Sequence, residues 1–286
     1  MARVHFLTFG DGSPQLRGAA ARLRREALQT GIFIDASVYS LKRIRDEYPV
    51  FWKQHANFLL TAKRGLGYFL WKPFLISAKL NEIAGNDFLV YADAGCEFVP
   101  GNSNELIDWL PTEPEFDLSA IPLDSFHTNA RWTNGRCLAC LDNTREFLEQ
   151  PMLAATFMFL RNTSRSRHLA AKWLEWSVHD DYCCLVDRQG DLERPEFEKH
   201  RHDQSIFSLL AYSLEHKREI GIKRIGVERT VDEKAAIQGA RNKTPFRSIG
   251  VNRYKRKILS KCYSATVKLF WNENRYRADL YETAEK

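Results

Sequence analysis

The feature that most constrains this chain is the regular alternation, in its first half, of short apolar runs with amphipathic stretches. Runs at 4–9, 32–38 and 87–91 have the length and continuous apolar character of buried strands. After the first run, Ser13 and Pro14 are typical of a helix N-cap and its first helical position. Because strands that alternate with helices usually form a parallel sheet covered by those helices, this pattern predicts an α/β fold.

The second half of the chain has a more mixed pattern. We expect further strands at 116–121, 155–160 and 222–227. Further helices are expected at 51–62, 74–84, 168–178, 203–214 and 253–270. Open parallel sheets bind ligands beyond the carboxyl ends of their strands, so the residues that follow the first and third strands are the first candidates for a site.

Composition excludes two classes of protein. Hydrophobic residues make up 44% of the 286 residues and charged residues 27%, which excludes a disordered chain. No apolar run approaches the roughly 20 residues that span a bilayer, which excludes a protein built from membrane-spanning helices. The first strand begins at once, without the basic and apolar regions of a signal peptide, so a cytoplasmic protein is expected.

Charge is unevenly distributed along the chain, whose net charge is +6. Residues 216–286 contain 18 Lys and Arg against 8 Asp and Glu, a charge of +10, which leaves −4 for residues 1–215. Between 253 and 271, basic side chains interleave with apolar ones, which is typical either of a helix on an anionic membrane or of an ordinary last helix packed on the domain. We expect an anionic membrane surface or a charged glycan as partner, and no nucleic acid, because no motif for it is recognisable.

The six cysteines give two interpretations. Cys137 and Cys140 have the spacing that opens a zinc site or forms a redox pair. No second pair with this spacing follows, and the adjacent Cys183 and Cys184 are a poor geometry for metal ligands. Reduced structural thiols in a cytosolic protein are therefore the favoured interpretation.

Asp93 is the most informative acidic residue, because it directly follows the predicted strand at 87–91. Ala94 and Gly95 clear space beside it, and a carboxylate there can hold a hard cation against a diphosphate. The alternative is that Asp93 caps a turn after the strand.

A second group of candidates lies at 64–73, where Arg64 and Lys72 flank a segment with two glycines. Both cations can bind a phosphate, and Tyr68 or Trp71 can stack on a base or a sugar. Gly67 makes the segment a pliable loop. The alternative is a turn whose aromatic side chains fill the core while Lys72 is solvated.

A third group lies where a helix is predicted to begin at Asp203. His202 offers an imidazole beside that carboxylate, and carboxylate oxygens accept sugar hydroxyls well. The alternative is that Asp203 is only a helix N-cap. Asp124, after the fourth predicted strand, is a further carboxylate that could act as a base.

These segments resemble those of GT-A glycosyltransferases. The sequence Tyr-Ala-Asp-Ala-Gly at 91–95 resembles their D-x-D region, and the segment 64–73 is similar to one in bacterial polysaccharide-biosynthesis proteins. The His-Asp-Gln-Ser sequence at 202–205 is similar to a downstream helix start, and 4–12 resembles the first nucleotide-binding strand. The resemblance covers about residues 1–215.

The resemblance implies a GT-A-like, Rossmann-type, mostly parallel sheet flanked by helices, with a mixed C-terminal half. Residues 1–250 would form one catalytic domain, with 1–125 for the nucleotide sugar and 126–250 for the acceptor, followed by a basic helical tail at 251–286. The implied activity moves a sugar from a nucleotide-diphosphate sugar, with a UDP-sugar favoured, to a glycan or lipid-linked acceptor in bacterial surface polysaccharide synthesis.

The resemblance also assigns roles to residues. Asp203, Gln204 and Asp124 would be catalytic. The donor would contact Thr8, Phe9, Gly10, Arg64, Gly67, Tyr68, Trp71, Lys72, Asp93, Ala94 and Gly95. A divalent metal, Mn²⁺ or Mg²⁺, is expected on Asp93; because Gly95 replaces the usual second acid, further ligands would come from Glu97, His202 or water.

Two other functions remain open from the sequence. A sugar-phosphate nucleotidyltransferase has a similar sheet but needs a basic glycine-rich loop after its first strand, whereas Gly10-Asp11-Gly12 is acidic. A non-catalytic protein could bind glycan or nucleic acid through the basic C-terminal quarter.

Overall fold

The computed structural model describes most of the chain up to residue 247 and isolated positions beyond it. The described ranges are 2–141, 146–187, 192–226 and 235–247, with Ile258, Ser260, Lys261, Tyr263, Ser264, Ala265, Val267, Trp271, Tyr276, Arg277 and Leu280. Most of the helix predicted at 253–270 lies outside these residues. Among them, no helix is long and apolar enough to cross a membrane.

A six-stranded sheet with the order β2-β1-β3-β6-β5-β7 forms the centre of the molecule. Three neighbouring pairs are parallel, and β6 is antiparallel to both of its neighbours. The prediction of a mostly parallel α/β sheet is therefore confirmed. The strands are β1 (Val4–Phe9), β2 (Phe33–Tyr39), β3 (Phe88–Ala92), β5 (Leu118–Ala120), β6 (Phe157–Arg161) and β7 (Ile222–Arg224).

A second, two-stranded sheet pairs β4 (Glu97–Phe98) with β8 (Ile237–Gln238) in antiparallel register. This pairing was not foreseen, because each strand has only two residues. It brings a late part of the chain back to the segment that follows β3.

Ten helical segments surround the sheet in the described residues. The longer ones are α1 (Pro14–Gln29), α3 (Pro49–Thr61), α5 (Trp71–Glu82), α9 (Ser164–Tyr182) and α10 (Asp203–His216). The shorter ones are α2 (Leu41–Glu47), α4 (Gly65–Tyr68), α6 (Ser103–Asp108), α7 (Asn129–Trp132) and α8 (Gly135–Cys140). The predicted start of α1 is confirmed: the Ser13 side chain accepts a hydrogen bond from the Leu16 amide, and Pro14 is the first helical residue.

Both faces of the sheet are buried, as continuous apolar strands require. Successive side chains of β3 alternate between the two faces, so Leu89 and Tyr91 join one hydrophobic cluster while Val90 joins the other. The first cluster includes side chains of α3, α5, α9 and α10, and the second includes side chains of α1 and α6. This three-layer packing fixes the strand ends that carry the candidate site.

Candidate active site

A cleft of about 600 Å³ opens at the carboxyl ends of β1 and β3. Phe9 and Asp11 line it at the end of β1, and Asp93 to Cys96 line it after β3. Thr156 lies there too, because β6 runs antiparallel and begins at the same edge. The cleft therefore occupies the place where open α/β sheets bind ligands.

The Lys72 ammonium lies at the floor of this cleft between two carboxylates. Its Nζ atom is 3.2 Å from Asp93 Oδ1 and 3.0 Å from Asp203 Oδ2, and it donates to the Ala155 carbonyl at 3.1 Å. The Lys72 and Asp203 side chains are each 5% exposed, whereas that of Asp93 is 40% exposed. We call these three residues the lysine–carboxylate triad.

Each member of the triad comes from a different element. Lys72 is in the first turn of α5, Asp93 follows β3, and Asp203 is the first residue of α10. The buried Tyr91 hydroxyl also donates to Asp93 Oδ1. The open edge of the triad is therefore the half-exposed side of Asp93, which faces the cleft.

Burial and charge set the ionisation of the triad. Burial raises the pKa of Asp203 to about 6, although the Lys72 ammonium acts in the opposite direction. Burial acts to lower the pKa of Lys72, but the two carboxylates outweigh it and hold that pKa above its usual value. At neutral pH, Lys72 is charged and Asp203 is ionised.

His202 lies beside the triad with a strained backbone, at a φ of 57°. Its Nδ1 atom is 2.7 Å from the Leu185 carbonyl oxygen, which can only accept, so Nδ1 carries the proton. Burial lowers the pKa of His202. The neutral ring therefore presents an Nε2 lone pair, which lies 3.3 Å from Arg64 Nη1.

His200 is buried behind His202 and makes the same kind of contact. Its Nε2 atom donates to the Cys184 carbonyl at 2.9 Å, and its Nδ1 atom accepts from the Asn134 amide at 3.2 Å. Burial lowers the pKa of His200 to about 3. The two histidines thus hold two consecutive carbonyls of the segment that follows α9.

The segment 65–69, predicted as a pliable loop, is a hydrogen-bonded turn of left-handed sense. All five of its residues have positive φ, and the amides of Tyr68 and Phe69 donate to the carbonyls four residues earlier. Gly67 packs so closely that an added Cβ would lie 2.8 Å from a Leu59 methyl group. The turn positions Arg64 before it and Trp71 after it.

Trp71 is a buried part of the cleft wall. Its ring stacks on Phe9 with centroids 3.9 Å apart, and its indole N–H donates to the Gly65 carbonyl at 2.9 Å. Tyr68 is also buried, with its ring centroid 4.9 Å from that of His202. Both rings are therefore buried, and of the two only Trp71 lines the cleft.

Five basic side chains line the cleft around the triad: Arg64, Lys199, Arg201, Arg241 and Lys243. We call them the cationic rim. Arg241 and Lys243 were not among the site residues predicted from the sequence. They reach the cleft because the β4–β8 pairing returns the chain to Gly95, whose carbonyl accepts from the Asn242 amide at 2.9 Å.

Gly95 has a steric reason to be a glycine. An added Cβ would lie 3.3 Å from the Arg241 Cα atom, so the small residue lets the returning chain approach. The space that was expected to receive a diphosphate is shared with this segment.

The structure brings most of the predicted site residues together in the cleft. They are Phe9, Arg64, Trp71, Lys72, Asp93, Ala94, Gly95, His202, Asp203 and Gln204. Thr8, Gly10, Gly67 and Tyr68 do not line it. The buried Thr8 hydroxyl donates to the Ala92 carbonyl, and an added Cβ on Gly10 would lie 2.3 Å from that of Ala20.

Two acidic candidates lie elsewhere. Glu97 is fully buried, where its carboxylate accepts from Arg22 at 2.7 Å and from the Asn242 amide group. The exposed Asp124 pairs with His127 at 2.6 Å. Neither carboxylate lines the cleft.

The donor set at the cleft does not fit the expected divalent metal. Asp93 Oδ1 accepts from Tyr91 and lies beside Lys72, Asp203 pairs with the same ammonium, and Gly95 offers no side chain. Within the described part of the chain, the one group of three or more close His, Cys, Asp or Glu ligands consists of cysteines outside the cleft. The position between Asp93 and Asp203 that a shared metal ion would need is taken by the Lys72 ammonium.

Comparison with known proteins finds similar solved structures, whereas no family model and no curated protein matches the chain. Mouse xyloside xylosyltransferase 1 is 13% identical, with 78% of this chain and 85% of that chain covered and a TM-score of 0.40. Galactosyltransferase LgtC, in complex with donor and acceptor sugar analogues, is 13% identical, with 72% of this chain and 70% of that chain covered and a TM-score of 0.39.

A glycosyltransferase involved in the glycosylation of the major capsid of PBCV-1 is 8% identical, with 69% of this chain and 81% of that chain covered and a TM-score of 0.38. All three TM-scores are below 0.5.

Proposed function

We propose that this protein is a glycosyltransferase that moves a sugar from a nucleotide-diphosphate sugar to a glycan or lipid-linked acceptor. The observation that carries the proposal is the juxtaposition, in one cleft, of the lysine–carboxylate triad and the cationic rim. A nucleotide sugar has the matching polarity, with an anionic diphosphate at one end and a hydroxyl-rich ring at the other.

The cationic rim binds the diphosphate in this proposal. Negative charge builds on the leaving diphosphate as the glycosidic bond breaks, and fixed cations in a cleft stabilise that charge. Arg64 and Arg201 suit phosphate because guanidinium groups donate bidentate hydrogen bonds. Because the carboxylates do not form a metal site, we assign this role to side-chain cations in place of the expected Mn²⁺ or Mg²⁺.

The triad binds the sugar end of the donor. Asp93 faces the cleft and accepts hydroxyl hydrogen bonds, while Lys72 holds both carboxylates in place. Asp203 provides fixed negative charge near the reacting carbon, where positive charge develops in glycosyl transfer. Gln204, next on α10, orients the sugar.

The proposal is tested by turnover and binding in metal-free buffer. A panel of nucleotide-diphosphate sugars, with UDP-sugars first, is incubated with the protein, and release of free nucleotide diphosphate is measured. Asp203→Asn should reduce turnover by about 100-fold or more while nucleotide diphosphate binding is retained. Asp124→Asn is the matched control, because Asp124 is exposed and outside the cleft, and its turnover should be normal.

Two results would contradict the proposal: binding of no nucleotide diphosphate by a folded protein, or equal turnover by wild type and Asp203→Asn. Transfer of a nucleotidyl group to a sugar phosphate, with release of pyrophosphate, would instead support a nucleotidyltransferase.

We further propose that the acceptor is presented at the anionic inner face of a membrane, in surface polysaccharide synthesis. The support is the charge of +10 over residues 216–286, since basic residues near such a surface contribute about 1 kcal/mol each. Flotation with anionic liposomes should recover the protein, and neutral liposomes should not. Equal recovery with both, or none with either, would contradict this part of the proposal.

A further inference from the structure

Four cysteines converge in one cluster that the proposed activity does not use. Cys140 Sγ lies 3.1 Å from Cys183 Sγ, which lies 3.7 Å from Cys184 Sγ. These three sulfur atoms are all within 4.8 Å of one another. The Cys137 thiol contacts that of Cys184 but is not one of the three sulfur atoms that all lie within 4.8 Å of one another.

The sulfur spacing matches that of ligands around one ion. Four thiolates bound tetrahedrally to zinc at about 2.3 Å are about 3.8 Å apart. The Cys183–Cys184 distance of 3.7 Å is close to that value, and the Cys140–Cys183 distance of 3.1 Å is shorter. No pair in the cluster is a disulfide, whose sulfur atoms would be about 2.05 Å apart. The cluster therefore has the dimensions of a metal site in its reduced form.

The chain adopts a strained backbone to bring the sulfur atoms together. Cys137 and Cys140 project from α8, which is capped by the Asn134 side chain. Before Cys183, the residues Asp180, Asp181 and Tyr182 all have positive φ, a conformation that is unfavourable for residues with a side chain. This turn is what lets two adjacent cysteines face α8, contrary to the expectation from their sequence.

Without a cation, the cluster holds buried thiols whose neighbours are other thiols. Metal coordination replaces the thiol protons, because the thiolate is the form of cysteine that binds a metal. An all-sulfur tetrahedral set is typical of zinc or of iron–sulfur clusters.

We propose that Cys137, Cys140, Cys183 and Cys184 bind one structural zinc ion. Binding releases the protons of the coordinating thiols to solvent and involves no oxidation. The site joins α8 to the segment that follows α9. This inference does not depend on the proposed function, because the cluster lies outside the cleft.

The experiment measures zinc in the purified full-length chain by mass spectrometry, after dialysis in metal-free buffer under reducing conditions. We expect one zinc per chain. Cys140→Ser and Cys183→Ser should each lose most of it, whereas Cys96→Ser should keep it, because Cys96 is a buried cysteine outside the cluster.

Because the serine variants can fail to fold, the wild type supplies a second measurement. Stepwise titration of its thiols with a mercurial reagent should release zinc in proportion to the cluster thiols modified. Replacement of zinc by Co²⁺ should give the intense absorption of a tetrahedral thiolate site. Absence of zinc from folded protein, a Cys140–Cys183 disulfide under these conditions, or bound iron in place of zinc would overturn the proposal.

Discussion

Asp203 is the side chain whose ionisation is expected to set the pH dependence of activity. Its pKa is raised by burial to about 6, and the proposed role requires the carboxylate. We therefore expect kcat/KM to increase with pH and reach a plateau above a midpoint near 6. The residual activity of Asp203→Asn should lack this decrease of kcat/KM at acidic pH. If the decrease remains with the same midpoint, another group is responsible for it.

The raised pKa of Asp203 should also make the stability of the fold depend on pH, but stability should decrease with pH where activity increases. Asp203 holds its proton more tightly in the folded state, about 6, than in the unfolded state, where a pKa of about 3.9 is usual. Its contribution to the free energy of unfolding therefore decreases as pH rises from about 4 to about 6. Urea denaturation of wild type and Asp203→Asn across this window should show a steeper loss in the wild type.

Lys72 is expected to stabilise the fold as well as the site. Lys72→Met leaves Asp203 buried without its cation, and removing one partner of a buried pair costs roughly 3–5 kcal/mol. Lys42→Met is the matched control, because Lys42 is 68% exposed in its pair with Asp46, and it should change stability by less than about 0.5 kcal/mol. Similar unfolding midpoints for the two variants in urea would contradict this assignment.

The sequence identifies the triad residues but not their arrangement. Local patterns predicted each of them separately: Asp93 at a strand end, Lys72 beside a segment with two glycines, and Asp203 at a helix start. Their meeting around one ammonium depends on the packing of α5 against β3, which no local pattern encodes. The same limit explains why Arg241 was missed: it reaches the cleft only through a two-residue strand pairing.

At the scale of elements, the left-handed turn at 65–69 is expected to be fixed by packing and by backbone conformation together. Gly67→Ala places a side chain at a φ of +82° and against Leu59. It should therefore lower the free energy of unfolding by clearly more than the roughly 1 kcal/mol expected from the unfavourable backbone conformation alone. It should also weaken nucleotide diphosphate binding, because Arg64 begins this turn.

Gly31→Ala is the matched control for that comparison. Gly31 has a similar φ of +73°, but an added Cβ meets nothing within 4 Å. We expect Gly31→Ala to lower the free energy of unfolding only by the amount due to the backbone conformation, and to bind nucleotide normally. Equal free energies of unfolding for the two variants would contradict this prediction and would mean that Leu59 moves slightly to accommodate the added methyl group.

The longer elements were predictable from sequence because their own residues carry the signal. Ser13 and Pro14 mark the start of α1, and the continuous apolar run of β3 marks a strand buried on both faces. Of the strand predicted at 222–227, the structure shows β7 at Ile222–Arg224, and Val227 lies outside the described residues. The positive φ values at Tyr68 and Phe69 could not be foreseen, because neither residue type favours them.

At the scale of the whole molecule, the cationic rim should make nucleotide binding strong without added metal and sensitive to salt. UDP at 100 times its Kd should stabilise the protein by about 2.7 kcal/mol in metal-free buffer. Arg241→Ala should weaken this binding, and Lys53→Ala, at an exposed position on α3 outside the cleft, should not. Binding that appears only with Mn²⁺ would show that the cations do not replace a metal.

The contacts of His200 and His202 have a consequence for protein engineering. Their ring nitrogens hold the carbonyls of Cys184 and Leu185, and Asn134 joins His200 to the start of α8. These contacts therefore connect residues 134–140, 183–187 and 199–203. A chimera that exchanges only 199–205 with another protein of this fold should misplace Asp203 even if every transplanted residue is suitable, whereas exchange of all three segments together should preserve its position.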